Sequence, residues 1–193
     1  MNVLILGHSF IANLRDLLED PEKPHQWEDP TNCRGQVNVF FHGFSGGKVP
    51  SLTQSVNDGL FVHYNPRIVI IQVGGNDCSS KTFSKDKFKT DVEALAAACH
   101  TRGAAVLFMA VLKRSKPRYC EPDIYNERRA AANDVYRELA KQHAAIGYFR
   151  PVNVYHGGCE GSDKVHFNEA GYTAMLRALR KGLSWFVNKL RRQ

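Results

Sequence analysis

A chain of 193 residues is the size of one compact α/β domain, and two full domains would be cramped in it. Hydrophobic residues at 43% and charged residues at 23% match a globular chain and exclude wholesale disorder. The net charge of +7 is concentrated in Arg177, Arg180, Lys181, Lys189, Arg191 and Arg192, with no acid between Ala174 and Gln193. Without those six the chain is near neutral, 20 basic against 19 acidic residues, unlike a uniformly basic nucleic-acid binder.

The first apolar run, Val3–Leu6, precedes a glycine and has no basic residue ahead of it. It is too short for a signal peptide and reads as a buried strand. Glu19–Gln36, with Pro21, Pro24 and Pro30, has little apolar periodicity and reads as a surface loop, a plain connector or one that drapes near the site. Val37–Phe41, Ile68–Val73, Ala105–Val111 and the weaker Ile146–Phe149 are the later runs. Short, nearly continuous apolar runs suit strands buried on both faces of a parallel sheet.

Helical spacing fills the gaps. Phe88, Val92, Leu95 and Cys99 step by four, three and four. Tyr125, Ala132, Tyr136 and Leu139 mark a second helix. Tyr172, Leu176, Leu179, Leu183, Phe186 and Leu190 mark the last and clearest. Strand and helix in alternation predict a doubly wound parallel sheet in one domain over residues 1–193, with ligands bound beyond the carboxyl ends of the strands. No apolar run approaches the roughly 18 residues of a membrane span. Cys33, Cys78, Cys99, Cys120 and Cys159 are an odd number without C-x-x-C or zinc spacing, which reads as a reduced, cytoplasmic chain.

The segments after the strands hold the candidate chemistry. Gly7-His8-Ser9-Phe10 places a serine where a helix should start, either as an N-cap or as a nucleophile whose own backbone N–H is an unpaired helix donor. The glycines of Ser45-Gly46-Gly47 make a turn or bring a backbone N–H near a reacting oxygen. Asn76, in Gly74-Gly75-Asn76-Asp77, is a turn residue or a side-chain donor to an oxyanion. Asp163 and His166 are three apart on a loop. The carboxylate can accept from Nδ1–H, fix the tautomer and leave Nε2 as a base. A zinc site is disfavoured, since no second His or Cys stands at ligand spacing.

Taken in order, these segments resemble the blocks of the SGNH (GDSL-type) hydrolases along nearly the whole chain. The stretch from Asp163 to Tyr172 is the most specific, and Tyr125-Asn126 and Asn133 also look like the family. The resemblance implies a three-layer, flavodoxin-like α/β fold with a five-stranded parallel sheet. It implies Ser9 as nucleophile, His166 as base and Asp163 as its orienting acid. Ser9 N–H, Gly46 N–H and the Asn76 amide would form the oxyanion hole. His8 stands where the family usually has Asp, and Phe10 where it usually has Leu. The family's Asp supports the nucleophile turn by hydrogen bonds, a task open to a neutral His.

The expected activity is hydrolysis of small carboxylic esters, short acyl or acetyl, through an acyl-enzyme, with no metal or organic cofactor. Two rival readings come from the same resemblance. One is an SGNH-like domain that binds nucleic acid or belongs to a retroelement protein; the other is an acetylhydrolase resembling the platelet-activating-factor type. Keeping Ser, Gly, Asn, Asp and His together favours the enzyme. On the last helix Arg177, Lys181, Asn188, Arg191 and Arg192 should face outward, with Arg180 near the edge. That face is either a solvated one, its cations suited to a helix C-terminus, or a weak contact for nucleic acid or another polyanion.

Overall fold

The computed structural model describes residues 1–20, 37–152, 154 and 158–192. Five parallel strands form one sheet in the order β2-β1-β3-β4-β5. They are β1 (Asn2–Gly7), β2 (Asn38–Gly43), β3 (Ile68–Gln72), β4 (Ala105–Met109) and β5 (Ile146–Phe149). The order reverses between β1 and β3, and such a switch point opens a crevice at the strands' carboxyl ends.

Helices α1 (Ser9–Glu19) and α7 (Glu169–Leu190) cover one face of the sheet. Helices α2 (Val49–Ser55), α5 (Lys85–His100) and α6 (Pro122–Gln142) cover the other. A π-helical turn, Val56–Leu60, leads from α2 into the short α3 (Phe61–Tyr64), and α4 (Gly75–Cys78) is a single turn after β3. Strand side chains alternate between the faces. Val3, Ile5, Ile70 and Leu107 pack against α1 and α7, while Leu4, Leu6, Ile71 and Phe108 pack against α2, α5 and α6. That explains the continuous apolar runs: both faces of each central strand are core. Full burial of each such side chain contributes roughly 1.5–3 kcal/mol.

Two strands end earlier than the apolar runs predict. Val73 follows β3, and its carbonyl accepts from the buried Tyr136 hydroxyl at 3.2 Å. Val111 lies beyond β4 because its N–H donates to Asn133 Oδ1 at 2.8 Å, so a side chain of α6 replaces a strand partner. The loop expected over Glu19–Gln36 lies outside the described residues except for Glu19, the last residue of α1, and Asp20; Cys33 lies outside them too. The apolar stripe of α7 is buried from Tyr172 to Phe186 and only partly buried at Leu190, in its last turn, while Arg177, Lys181, Asn188, Arg191 and Arg192 are exposed. Among the described residues, no helix is long and apolar enough to cross a membrane.

Candidate active site

The first strand delivers Ser9 through a turn that only glycine fits. A Cβ on Gly7 would stand 2.4 Å from the Gln72 carbonyl oxygen and 2.5 Å from Ile11 Cγ1. The N-cap of α1 is His8 and not Ser9: His8 is extended, its carbonyl accepts from Ile11 N–H at 2.9 Å, and its Nδ1 accepts from Phe10 N–H at 3.4 Å. An imidazole caps as an acceptor at that nitrogen, which leaves the Ser9 hydroxyl out of the capping bond. Ser9 becomes the first residue of α1, where backbone N–H groups lack intrahelical acceptors.

Ser9 Oγ lies 2.7 Å from His166 Nε2, and His166 Nδ1 lies 2.6 Å from Asp163 Oδ2. The loop between the last two folds back because Lys164 takes a left-handed backbone, φ 55°. Asp163 Oδ1 accepts from the Val165 and His166 N–H groups, each at 2.9 Å. Partial burial pushes the Asp163 carboxyl up. The bonds from His166 N–H, the His166 ring and Val165 N–H outweigh that and hold it at about 2. The carboxylate is therefore a fixed charge beside Nδ1 and makes Nε2 the lone-pair nitrogen facing Ser9. Phe10 lies against the imidazole, with ring centroids 5.3 Å apart, and Phe167 packs edge-on against Phe10.

The other two turns meet the first from β2 and β3. Phe44 N–H donates to the Gly7 carbonyl at 2.9 Å and pins the second turn to the end of β1. Gly46, at φ 73°, holds a backbone shape that other residues rarely adopt. Asn76 Nδ2 donates to the Gly47 carbonyl at 2.8 Å, joining the third turn to the second. A primary amide carries two N–H donors, so one remains for a ligand. Asp77 Oδ1 accepts from Val49 N–H at 3.2 Å and ties the same turn to the start of α2; burial pushes this carboxyl up to about 6.

Nothing in the sequence singles out Arg114, which sits in a run of basic loop residues. In the structure it is 5% exposed. Its Nη1 donates to the Gly75 carbonyl and its Nη2 to Asn76 Oδ1, both at 3.1 Å. Beside it His8 is fully buried, and burial first, then Arg114 and His166, keep its imidazole well below the usual range and neutral. His8 Nε2 and Arg114 Nε have no hydrogen-bond partner among the described residues. The sequence-predicted residues thus fall into one hydrogen-bonded triplet, Ser9, His166 and Asp163, and one linked pair of turns holding Gly46 and Asn76.

A model of the GDSL-like lipase/acylhydrolase family matches residues 5–174. Among solved structures, a lipase/acylhydrolase from Enterococcus faecalis is 18% identical with a TM-score of 0.70, covering 96% of each chain. The psychrotrophic esterase EstA of Pseudoalteromonas, solved inhibited by monoethylphosphonate, is 16% identical with a TM-score of 0.66, covering 97% of this chain and 98% of its own. A GDSL-like lipase from Bacteroides thetaiotaomicron is 14% identical with a TM-score of 0.67, covering 95% of this chain and 88% of its own. At these identities the likeness is one of fold. No curated protein matches the chain. With most of its length matched by the family model, and the sheet order and the turns after β1, β2 and β3 in place, the chain belongs to the GDSL-like lipase/acylhydrolase family.

Proposed function

We propose that the protein is a serine esterase that hydrolyses small carboxylic esters, short acyl and acetyl esters first among them. The observation that carries this reading is the 2.7 Å approach of Ser9 Oγ to His166 Nε2, with Asp163 at 2.6 Å behind the ring. Ser9 Oγ attacks the ester carbonyl and its proton passes to Nε2. Asp163 stabilises the imidazolium through Nδ1–H and stays ionised. Negative charge on the carbonyl oxygen is met by Ser9 N–H, Gly46 N–H and the remaining N–H of Asn76. Collapse expels the alcohol, which takes its proton from His166. Water then gives a proton to the same nitrogen and attacks the acyl-Ser9 ester, releasing the acid and restoring the hydroxyl. Each proton in the cycle moves between Ser9, His166, the alcohol and water.

The test is a panel of chromogenic esters of increasing acyl length, run beside Ser9→Ala. The parent should turn over the shorter esters, and the variant should lose about 10³-fold or more in kcat with its fold intact. A fluorophosphonate should label Ser9 and no other serine. Full activity in Ser9→Ala would overturn the mechanism.

A further inference from the structure

The half-exposed aromatic of α7 stands in line with two cations. Arg177, Lys181 and Trp185 are spaced by four, so they share one side of the helix, and the two charges lie about 6 Å apart along its axis. Trp185 is 47% exposed. Opposite this side runs the chain leaving β5, and a groove of about 440 Å³ lies between the two. Its walls include Arg150, Arg177, Lys181 and Trp185, and its floor is Phe149 and Gly182. The floor is low because Gly182 lacks a side chain; a Cβ there would stand 2.9 Å from the Phe149 ring.

Arg150, Arg177 and Lys181 are exposed, and among the described residues none of them is in an ion pair and no carboxylate lines the groove. The groove therefore combines a positive field, uncompensated among the described residues, with a half-exposed indole. It lies at β5, three strand positions and about 14 Å across the sheet from β1, the strand that leads into Ser9.

We propose that this groove binds single-stranded nucleic acid, with one base stacked on Trp185 and flanking phosphates on Arg150, Arg177 and Lys181. Stacking on an indole needs an unpaired base, which a duplex withholds within its own stack. A flat anionic bilayer does not enter a concave groove. Recognition of this kind is indifferent to sequence, since every base has a π-face and every phosphate the same charge.

The experiment is fluorescence anisotropy of a labelled twelve-nucleotide oligo(dT) titrated with the full chain. Binding at low salt should weaken with a log–log salt slope of about −2, from three phosphate contacts at roughly −0.7 each on a single strand. Arg177→Gln with Lys181→Gln should flatten that slope by about 1.4. Trp185→Ala should weaken binding about tenfold, and Trp185→Phe should restore most of it. The same sequence as a duplex should bind about tenfold or more weakly than the single strand. Arg177 and Lys181 are exposed, so the paired Gln variant should keep the parent's Tm, and Trp185→Phe, which keeps a ring beside Phe186, controls for packing lost in Trp185→Ala. Any of four results overturns the proposal. These are no binding by the parent at low salt, a duplex bound as tightly as the single strand, and binding that survives Trp185→Ala or the paired Gln replacements. The fourth is Trp185 fluorescence that responds to anionic lipid vesicles but not to oligo(dT). None of these readouts depends on ester hydrolysis.

Discussion

Arg114 fixes which way Asn76 points. A guanidinium has donors only, so the amide edge it meets at 3.1 Å must be Oδ1, and Nδ2 must face away, toward the Gly47 carbonyl at 2.8 Å. The same guanidinium holds the Gly75 carbonyl. Asn76 is thus gripped at both ends of its amide, and the orientation of its remaining N–H is set before any substrate arrives. Preorganised donors stabilise developing charge because they need no rearrangement during reaction.

Asn76→Ala should lower kcat by about 10²–10³-fold with little change in KM, because the donor acts on charge that develops in the transition state. Arg114→Met keeps the amide but frees it to turn, and should lower kcat by about tenfold, less than removing the donor. It also leaves the part-buried Asn76 Oδ1 without its donor, a stability loss of about 1 kcal/mol, while the Gly75 carbonyl keeps the Ser79 N–H at 3.2 Å. The discriminating measurement is the double variant. If Arg114 acts through Asn76, Arg114→Met should have little further effect on kcat in an Asn76→Ala background. Additive losses would assign Arg114 a separate role.

Asp163→Asn tests the orienting acid. The amide can present its N–H₂ to Nδ1, which favours the tautomer with the proton on Nε2 and takes away the base facing Ser9. If the proposed triad operates, a loss of about 10³–10⁴-fold in kcat is expected, as for the same change in known serine triads. Asp163 is held at about 2, so it stays ionised as the pH falls through the weakly acidic range, and a decline of kcat/KM there belongs to another group. An Asn variant with parental kcat would remove Asp163 from the proposed triad.

Much of this was legible in the sequence for a plain physical reason. Strands buried on both faces, such as Val3–Leu6 and Ile68–Ile71, leave unbroken apolar runs, and the residues just past them must lie at the crevice. Asp163 and His166 are close in sequence, so their pairing shows in spacing alone. Contacts made across the fold leave no such trace. Arg114 lies 38 positions from Asn76, and a buried arginine in Lys113-Arg114-Ser115-Lys116 looks like a solvated loop charge. The early ends of β3 and β4 depend on Tyr136 and Asn133, both on α6. The N-cap went to His8 because its ring nitrogen reaches Phe10 N–H, a use of histidine that cap preferences do not anticipate.

His8 stands beside a buried cation, at the position where the resemblance implies an Asp. His8→Asp should retain or raise activity, because an acid there would face Arg114 and could still accept from Phe10 N–H. His8→Leu should lower activity and stability together, since it removes that acceptor. The imidazole titrates lower in the folded chain than its ordinary 6.5. The unfolded chain therefore takes up the proton first, and the stability tied to neutral His8 is complete above about pH 6.5 and lost as the pH falls toward the folded value. Urea unfolding of His8→Leu should show a shallower loss over that window than the parent. A well-folded but inactive His8→Asp would mean that the imidazole itself takes part in the reaction.

Asp77 works in the opposite direction, and Asp77→Asn isolates it. Burial raises its carboxyl from the ordinary 3.8 to about 6, despite the hydrogen bond from Val49 N–H. Between those values the folded chain holds the proton more tightly than the unfolded chain. Its contribution to stability is therefore greatest below about pH 3.8, declines as the pH rises through 6, and is level above that. The difference amounts to a penalty on the order of 3 kcal/mol at neutral pH relative to pH 4. Asparagine keeps the Oδ1 acceptor for Val49 and carries no charge. The variant should gain stability relative to the parent as the pH rises from about 4 to 7, by an amount of that order. Titrations shared by both chains, including that of His8, cancel in the comparison. Urea unfolding of both proteins at several pH values measures it, and parallel stability curves would show that Asp77 is solvated in solution and not held in the low-dielectric setting that raises its carboxyl.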